Sequence, residues 1–268
     1  MTQHNDVLSD LVEEGNALDS LLVDADESQW ARPTPAGGWT IRHQIGHLAM
    51  VFAMAEKAAA DPAGFTAFTA AITNFDEAVN NGLKPYLALD GRRLLDTWQT
   101  QRTATERALH AVPLEQLVPW LVRPIPAAVL AKAGMMEMFA HGQDVADTLQ
   151  QKRQYTDRIR HVAEFTALTW EFGYESHGLP QPGKGFRFDL TAPSGAVWTL
   201  GDPDAEQRIT GPAVDLCLLA TRRRHRDDLA LTATGPDADQ WLDIAQAYRG
   251  PSGPGRKPGQ FAQAAHRP

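Results

Sequence analysis

Glu137 and His141 stand four residues apart in Met136-Glu-Met-Phe-Ala-His-Gly-Gln-Asp144, a strongly apolar stretch. A carboxylate and an imidazole turned toward a core need a partner, because burying a polar or charged group without compensation costs several kcal/mol. Two partners suit the pair: a divalent cation, or each other in a buried hydrogen bond. At about 100° per residue, Glu137, His141, Asp144 and Thr148 fall within roughly 60° of one helix face. Lys132, Gln143 and Asp147 cluster elsewhere and predict a solvent face distinct from the Glu/His face, while Met135, Met138, Phe139, Val145 and Leu149 fill a further arc.

A second histidine-bearing segment offers a third ligand. Thr40 is placed to cap a helix over Ile41-Arg-His-Gln-Ile-Gly-His-Leu-Ala-Met-Val-Phe52, with Gly37-Gly38 breaking the chain before it. Ile41, Ile45, Leu48 and Phe52 form its apolar stripe, and His47 lies at the edge of that stripe. A lone histidine there is more often a satisfied core residue. Beside a Glu-x-x-x-His helix, however, it completes a His/Glu/His set of the kind that holds zinc with an open fourth position. His43, one turn earlier, is a candidate fourth ligand, supporting group or surface residue. Asp144 could orient a ligand, accept a proton, or simply serve its helix.

These residues need helices to carry them, and the first two thirds of the chain supply the pattern. Helical periodicity covers Val7 to Ala25, Thr40 to Ala60, Gly91 to Val112, Ala127 to Gln150 and Arg158 to Gly173, with Asp90 as a cap for the third. Four or five antiparallel helices predict a bundle whose interior can gather ligands from two of them. Near Gly178 the chain changes character. Phe186 to Thr191 alternates, Pro193-Ser-Gly195 reads as a turn, and Ala196 to Leu200 follows as a second strand. A helix through Ala220, a strand from Leu229 to Thr234 and a last helix from Asp237 to Tyr248 complete a small α+β module. The expected organisation is a metal-binding helical bundle over 1–178, an α+β domain over 179–249, and a flexible Gly/Pro-rich tail over 250–268.

Composition narrows the classes. The 268 residues are 43% hydrophobic and 22% charged, as in ordinary globular proteins, and the length favours two domains over one. A net charge of −8 argues against nucleic acid as the main partner. Lys132 and Glu137 interrupt the most apolar region, so no membrane span is expected, and the polar start Met1-Thr-Gln-His-Asn-Asp6 shows no signal-peptide pattern. The expected location is the cytoplasm. The single cysteine, Cys217 in Leu216-Cys-Leu-Leu219, reads as a small core residue, so any thiol chemistry must come from a bound thiol.

Trp39-Thr-Ile-Arg-His-Gln-Ile-Gly-His-Leu48, Met136-Glu-Met-Phe-Ala-His-Gly-Gln-Asp-Val145 and the α+β module after them resemble the mycothiol-dependent maleylpyruvate isomerase family, within the DinB-like helical metalloenzymes. The resemblance spans roughly the first 250 residues. It implies an α+β fold in which a DinB-like four-helix bundle is followed by a sterol-carrier-like domain. It also implies a divalent metal, usually zinc, on His47, Glu137 and His141, with mycothiol as cosubstrate. The implied activity is isomerisation of an electrophilic small molecule such as maleylpyruvate, or thiol transfer to one. A metal-dependent hydrolase or lyase, or a small-molecule carrier with a structural metal, remains open beside it, as do monomer and homodimer. One departure is His43, where many relatives carry an acidic residue.

Thr221-Arg-Arg-Arg-His-Arg226 is the other chemical feature. It reads first as a solvated cationic helix end. The alternative is that one or two of its guanidiniums clamp a carboxylate of thiol or substrate, a role the resemblance favours without choosing among Arg222, Arg223 and Arg224. Asp144, Arg222 and Arg223 are therefore the candidate catalytic residues, and Arg224 and His43 the candidate cofactor-binding ones. Trp120 and Arg123, in the loop before the ligand helix, are candidates for a pocket mouth.

Overall fold

The computed structural model describes residues 6–261, without the side chains of 75 and 76. The chain forms two compact units, one running to Lys152 and the other from Arg153 onward.

Asp6 opens the first unit by accepting a hydrogen bond from the Leu8 N–H, and α1 (Val7–Ser20) follows. The helix expected to reach Ala25 stops at Ser20, and a short α2 (Glu27–Trp30) starts again behind an Asp26/Gln29 capping box. After α3 (Ile41–Ala60) come α4 (Pro62–Ala70) and α5 (Phe75–Leu87), two helices that periodicity did not reveal. The reason is local: Pro62 sits at the helix start, and Gly82 and Pro85 interrupt the pattern of α5. Asp90 caps α6 (Gly91–His110) through the Arg93 N–H, as its sequence suggests. A two-residue pair, β1 (Leu117–Val118) and β2 (Ile125–Pro126), leads into α7 (Ala127–Leu149).

α1 packs on α6 and α7, and α3 packs on the same two, so α1 and α3 stand across one diagonal of a four-helix bundle and α6 and α7 across the other. Leu11, Leu18, Leu48, Phe52, Trp98 and Phe139 are buried in its core. Phe52 and Trp98 meet edge to face, with ring centroids 4.9 Å apart. None of the described helices is long and apolar enough to cross a membrane.

The second unit contains α8 (Arg160–Leu168), α9 (Phe172–His177), β3 (Arg187–Thr191), β4 (Val197–Gly201), β5 (Arg208–Pro212), α10 (Ala213–Ala220), β6 (Thr232–Thr234) and α11 (Pro236–Ile244). Its sheet runs β4-β3-β5-β6, with β3 and β5 parallel and the other pairs antiparallel. The strand β5 went unread because Gly211 and Pro212, its last two residues, read as the opening of the helix that follows. The expected boundary at 178 moves to Lys152, because α8, read as a fifth bundle helix, packs on β4 and α10. Phe186, Phe188, Tyr174 and Trp241 fill this core, and Cys217 is buried there with its Sγ toward the Ile159 carbonyl at 3.8 Å.

The tail also differs from expectation. Up to Phe261 it is fastened: the Gly259 N–H donates to Asp228 Oδ1 at 2.8 Å, and the Arg224 guanidinium lies 3.9 Å from the centre of the Phe261 ring. The rest of the tail, 262–268, and the polar start, 1–5, lie outside the described residues.

Tyr174 shows how this second core responds to pH. Burial, aided by the nearby Asp237, pushes its phenol up to about 12, and its hydroxyl donates to the Asp237 carbonyl at 3.2 Å. A phenol raised in the folded state contributes stability that is present below its unfolded value of about 10 and is lost as pH rises through the folded one. Absorbance titration of the tyrosines is expected to show a late-ionising phenol that Tyr174→Phe removes, and the variant should lose less stability than the wild type between pH 10 and 12. Equal alkaline sensitivity of the two proteins would contradict this account.

Candidate metal centre

The site begins at the start of α3. The Thr40 N–H donates to His43 Nδ1 at 3.3 Å, and the Thr40 hydroxyl lies 2.8 Å from the same nitrogen. His43 thus fills the reciprocal position of a capping box that Glu or Gln ordinarily takes, so the departure noted in sequence leaves the cap intact. Burial, with the Arg42 charge beside it, lowers the His43 imidazole below its ordinary value and suits it to accept. Arg42 itself ties the start of α3 to Glu27 and to the Leu89 carbonyl.

One turn further, His47 faces α7. Its Nε2 lies 3.6 Å from Glu137 Oε2, and His141 Nε2 lies 3.1 Å from that same oxygen. One donor atom from each of the three residues falls within 4.8 Å of the others. His43 stands outside this cluster, so the candidate fourth ligand is instead a helix cap. The side chains of His47, Glu137 and His141 keep 18%, 21% and 11% exposure, which leaves the cluster within reach of solvent. Burial opposes ionisation of Glu137, but hydrogen bonds from His141 and His47 outweigh it and hold the carboxyl well below the usual carboxylate range.

Two ring nitrogens converge on one carboxylate oxygen, so a positive charge belongs between them, either protons on the rings or a metal ion. The donor set fits a divalent cation: two imidazoles and a carboxylate are zinc ligands, and three of them leave a position open. His47 Nδ1 is buried and has no hydrogen-bond partner among the described residues. His141 Nδ1 does have one, Gln44 Oε1 at 2.5 Å.

Sequence reading missed Gln44, Thr34 and the placement of Trp39. Gln44 donates through Nε2 to the Thr34 hydroxyl at 2.8 Å, and that hydroxyl donates to the Trp39 carbonyl at 2.9 Å. The Trp39 indole stacks on His141 with ring centres 5.9 Å apart and also lies against His47 and His43. The available signal was Gln44 itself, a polar residue one turn before His47 on a helix face that is otherwise apolar.

The remaining candidates are placed as follows. Asp144 has no exposed surface and sits one turn beyond His141. The solvent face expected around Gln143 is absent: Gln143 is buried, with its amide bonded to Asp147 at 2.8 Å, and α7 is covered nearly all round. Trp120 stacks on Phe65 of α4 with ring centres 5.6 Å apart. In the second unit, Arg222 adopts a left-handed backbone (φ 59°) and donates through Nη2 to the Gly253 carbonyl at 3.4 Å. Arg223 is buried and donates to the Thr221 carbonyl at 2.6 Å, and Arg224 donates to the Arg223 carbonyl at 2.7 Å while lying against Phe261.

Comparison with known proteins places this chain in a family. Residues 11–146 match the model of the mycothiol maleylpyruvate isomerase N-terminal domain. An uncharacterized protein of Mycobacterium tuberculosis (strain CDC 1551 / Oshkosh) is 41% identical over 250 residues, covering 93% of this chain and 97% of its own, and its counterpart from a second strain matches equally. Among solved structures, the mycothiol-dependent maleylpyruvate isomerase is similar with a TM-score of 0.58 at 16% identity, covering 87% of this chain and 94% of that one. A histidine-to-alanine mutant of that isomerase gives 0.55 at the same identity and coverage. At 16% identity the likeness concerns the fold, a helical domain followed by one that carries a sheet. The family model spans more than half of the sequence, the mycobacterial relatives nearly all of it, and the chain belongs to the mycothiol-dependent maleylpyruvate isomerase-like family.

Proposed function

We propose that this protein is a divalent-metal-dependent enzyme, with zinc as the expected ion, that uses mycothiol as nucleophile toward a small electrophile of the maleylpyruvate kind. The observation that carries the reading is the convergence of His47, Glu137 and His141 within 4.8 Å at a partly solvent-accessible place in the bundle. Support for the thiol comes from family membership and from the solved relative, which is a mycothiol-dependent maleylpyruvate isomerase.

His47, Glu137 and His141 would hold the ion, one donor atom from each. The carboxylate contributes one negative charge, which leaves a net positive site for an anionic sulfur. A divalent cation bound there stabilises a thiolate at neutral pH. Trp39 covers one flank of the imidazoles and limits the approach of water from that side. Asp144, fully buried, serves the ligand helix and does not meet the substrate. Carboxylate binding is the role we propose for the run Arg222, Arg223 and Arg224, the candidates that the family resemblance implies.

The test is a cobalt-substituted protein titrated with mycothiol. A sulfur-to-metal charge-transfer band that grows to one thiol per ion supports the reading. A bound metal whose spectrum ignores the thiol would transfer the open position to water activation. Product analysis then separates the two thiol reactions: an isomerase returns mycothiol unchanged, whereas a transferase consumes it in a new C–S bond.

A further inference from the structure

Gln44 is fully buried on α3, and the structure shows which way its amide must face. The Thr34 hydroxyl has a single proton, and that proton is directed at the Trp39 carbonyl. Its lone pairs can then only accept, and they accept from Gln44 Nε2. This leaves Gln44 Oε1, an obligate acceptor, against His141 Nδ1. Gln44 Oε1 therefore takes the Nδ1 proton, and when a cation replaces the proton that Nε2 shares with Glu137, the Nε2 lone pair is left for the ion.

We propose that Gln44, held by Thr34, is a positioning residue that fixes the tautomer and ring angle of His141 for metal ligation. The inference rests on the metal reading above. A histidine ligand ordinarily donates its other ring N–H to an acceptor that sets its orientation. Here the two imidazoles are unequal: His141 has such an acceptor, and His47 Nδ1 has none among the described residues. In water, neutral histidine prefers its proton on Nε2, so without Gln44 the ring would tend to present an N–H to the ion. The 34–44 segment therefore prepares one ligand before any metal arrives. Trp39 adds to this by stacking on the same ring, 19° from parallel.

The experiment compares wild type, Gln44→Ala, Gln44→Glu and Thr34→Val. Zinc affinity is measured by competition with a chelator, the His141 Nδ1–H is sought as a slowly exchanging downfield proton resonance, and circular dichroism monitors the fold. Gln44→Ala is expected to weaken zinc by about 10- to 100-fold and to abolish the resonance. Gln44→Glu keeps an acceptor and should retain both the resonance and an affinity within a few fold of wild type. Thr34→Val, which frees the amide to turn, should fall between them. Should Gln44→Ala fail to fold, Gln44→Glu and Thr34→Val carry the comparison.

Wild-type affinity in Gln44→Ala, or a Nδ1–H resonance that persists without Gln44, overturns the proposal while leaving the metal site standing. If the wild type binds no zinc, the metal reading falls. The resonance still decides the positioning role in that case, since its presence in wild type and its loss in Gln44→Ala support Gln44, and any other pattern sinks it.

Discussion

Removing any one of the three converging donors, through His47→Ala, Glu137→Ala or His141→Ala, is expected to weaken divalent-metal binding by about 100- to 1,000-fold. Four-ligand zinc sites bind with ~10–16 kcal/mol, or about 2.5–4 kcal/mol per protein ligand, and each 1.4 kcal/mol is a factor of ten. Purified wild type should carry about one ion per chain, as expected of a single three-ligand centre, and the variants should lose it on dialysis. The bundle itself should persist, because Leu48, Phe52, Trp98 and Phe139 form an apolar core that does not involve the ligands. Glu137→Gln is the most discriminating substitution. It preserves shape and polarity while removing the charge, and an unchanged metal content in that variant would show that the carboxylate is a hydrogen-bonding partner of the histidines and no ligand.

The largest effect on folding is expected elsewhere, at Arg102→Ala. Arg102 is buried where α6 meets α1 and donates to the Val12 carbonyl at 3.3 Å, Asn16 Oδ1 at 3.1 Å, Asp19 Oδ2 at 3.0 Å and Glu106 Oε1 at 2.9 Å. Asp19 also accepts from Trp98 Nε1 at 2.8 Å, so the network reaches into the bundle core. Gly15 makes the arrangement possible, since a Cβ there would stand 2.4 Å from Arg102 Nη1. Loss of the cation strands two largely buried carboxylates, a change that costs about 3–5 kcal/mol. Burial lifts the Glu106 carboxyl above its ordinary value, and Arg102 draws it back down. Without Arg102 that value rises further, and protonation then relieves the stranded charge. The deficit in Arg102→Ala should therefore be greatest near pH 7 and smaller near pH 5. Urea unfolding at both pH values checks this: a difference below about 1 kcal/mol at pH 7 would place the network among surface ion pairs of little consequence. Metal binding at His47, Glu137 and His141 should be unaffected in the folded variant.

How far the sequence alone determines this protein is plainest at α7. A spacing of four residues places Glu137 and His141 on one face of any helix, whatever surrounds it, because the turn of 3.6 residues is a property of the backbone. The same periodicity marks α3, α6 and α7 to within a few residues and puts His47 at the rim of an apolar stripe. Caps at Asp6, Asp26 and Asp90 are likewise local, since each side chain bonds the backbone two or three residues on. Such features need only neighbours along the chain.

What the sequence leaves undecided is what lies across space. The hydrogen bond between Gln44 and His141 joins residues 97 positions apart, and no periodicity announces it. His43 has the right residue type and spacing for a ligand, yet its ring turns to its own N-cap, because a free backbone N–H three residues earlier claims Nδ1. Gln143 shares the polar arc of Lys132 and Asp147 but is buried, since coverage of a face depends on the partner and not on the face. The helix α8 looks like a continuation of the bundle until it packs on β4 and α10. Local periodicity settles which side chains share a face, and the tertiary packing settles which faces meet; the ligand pair belongs to the first and its supporting shell to the second.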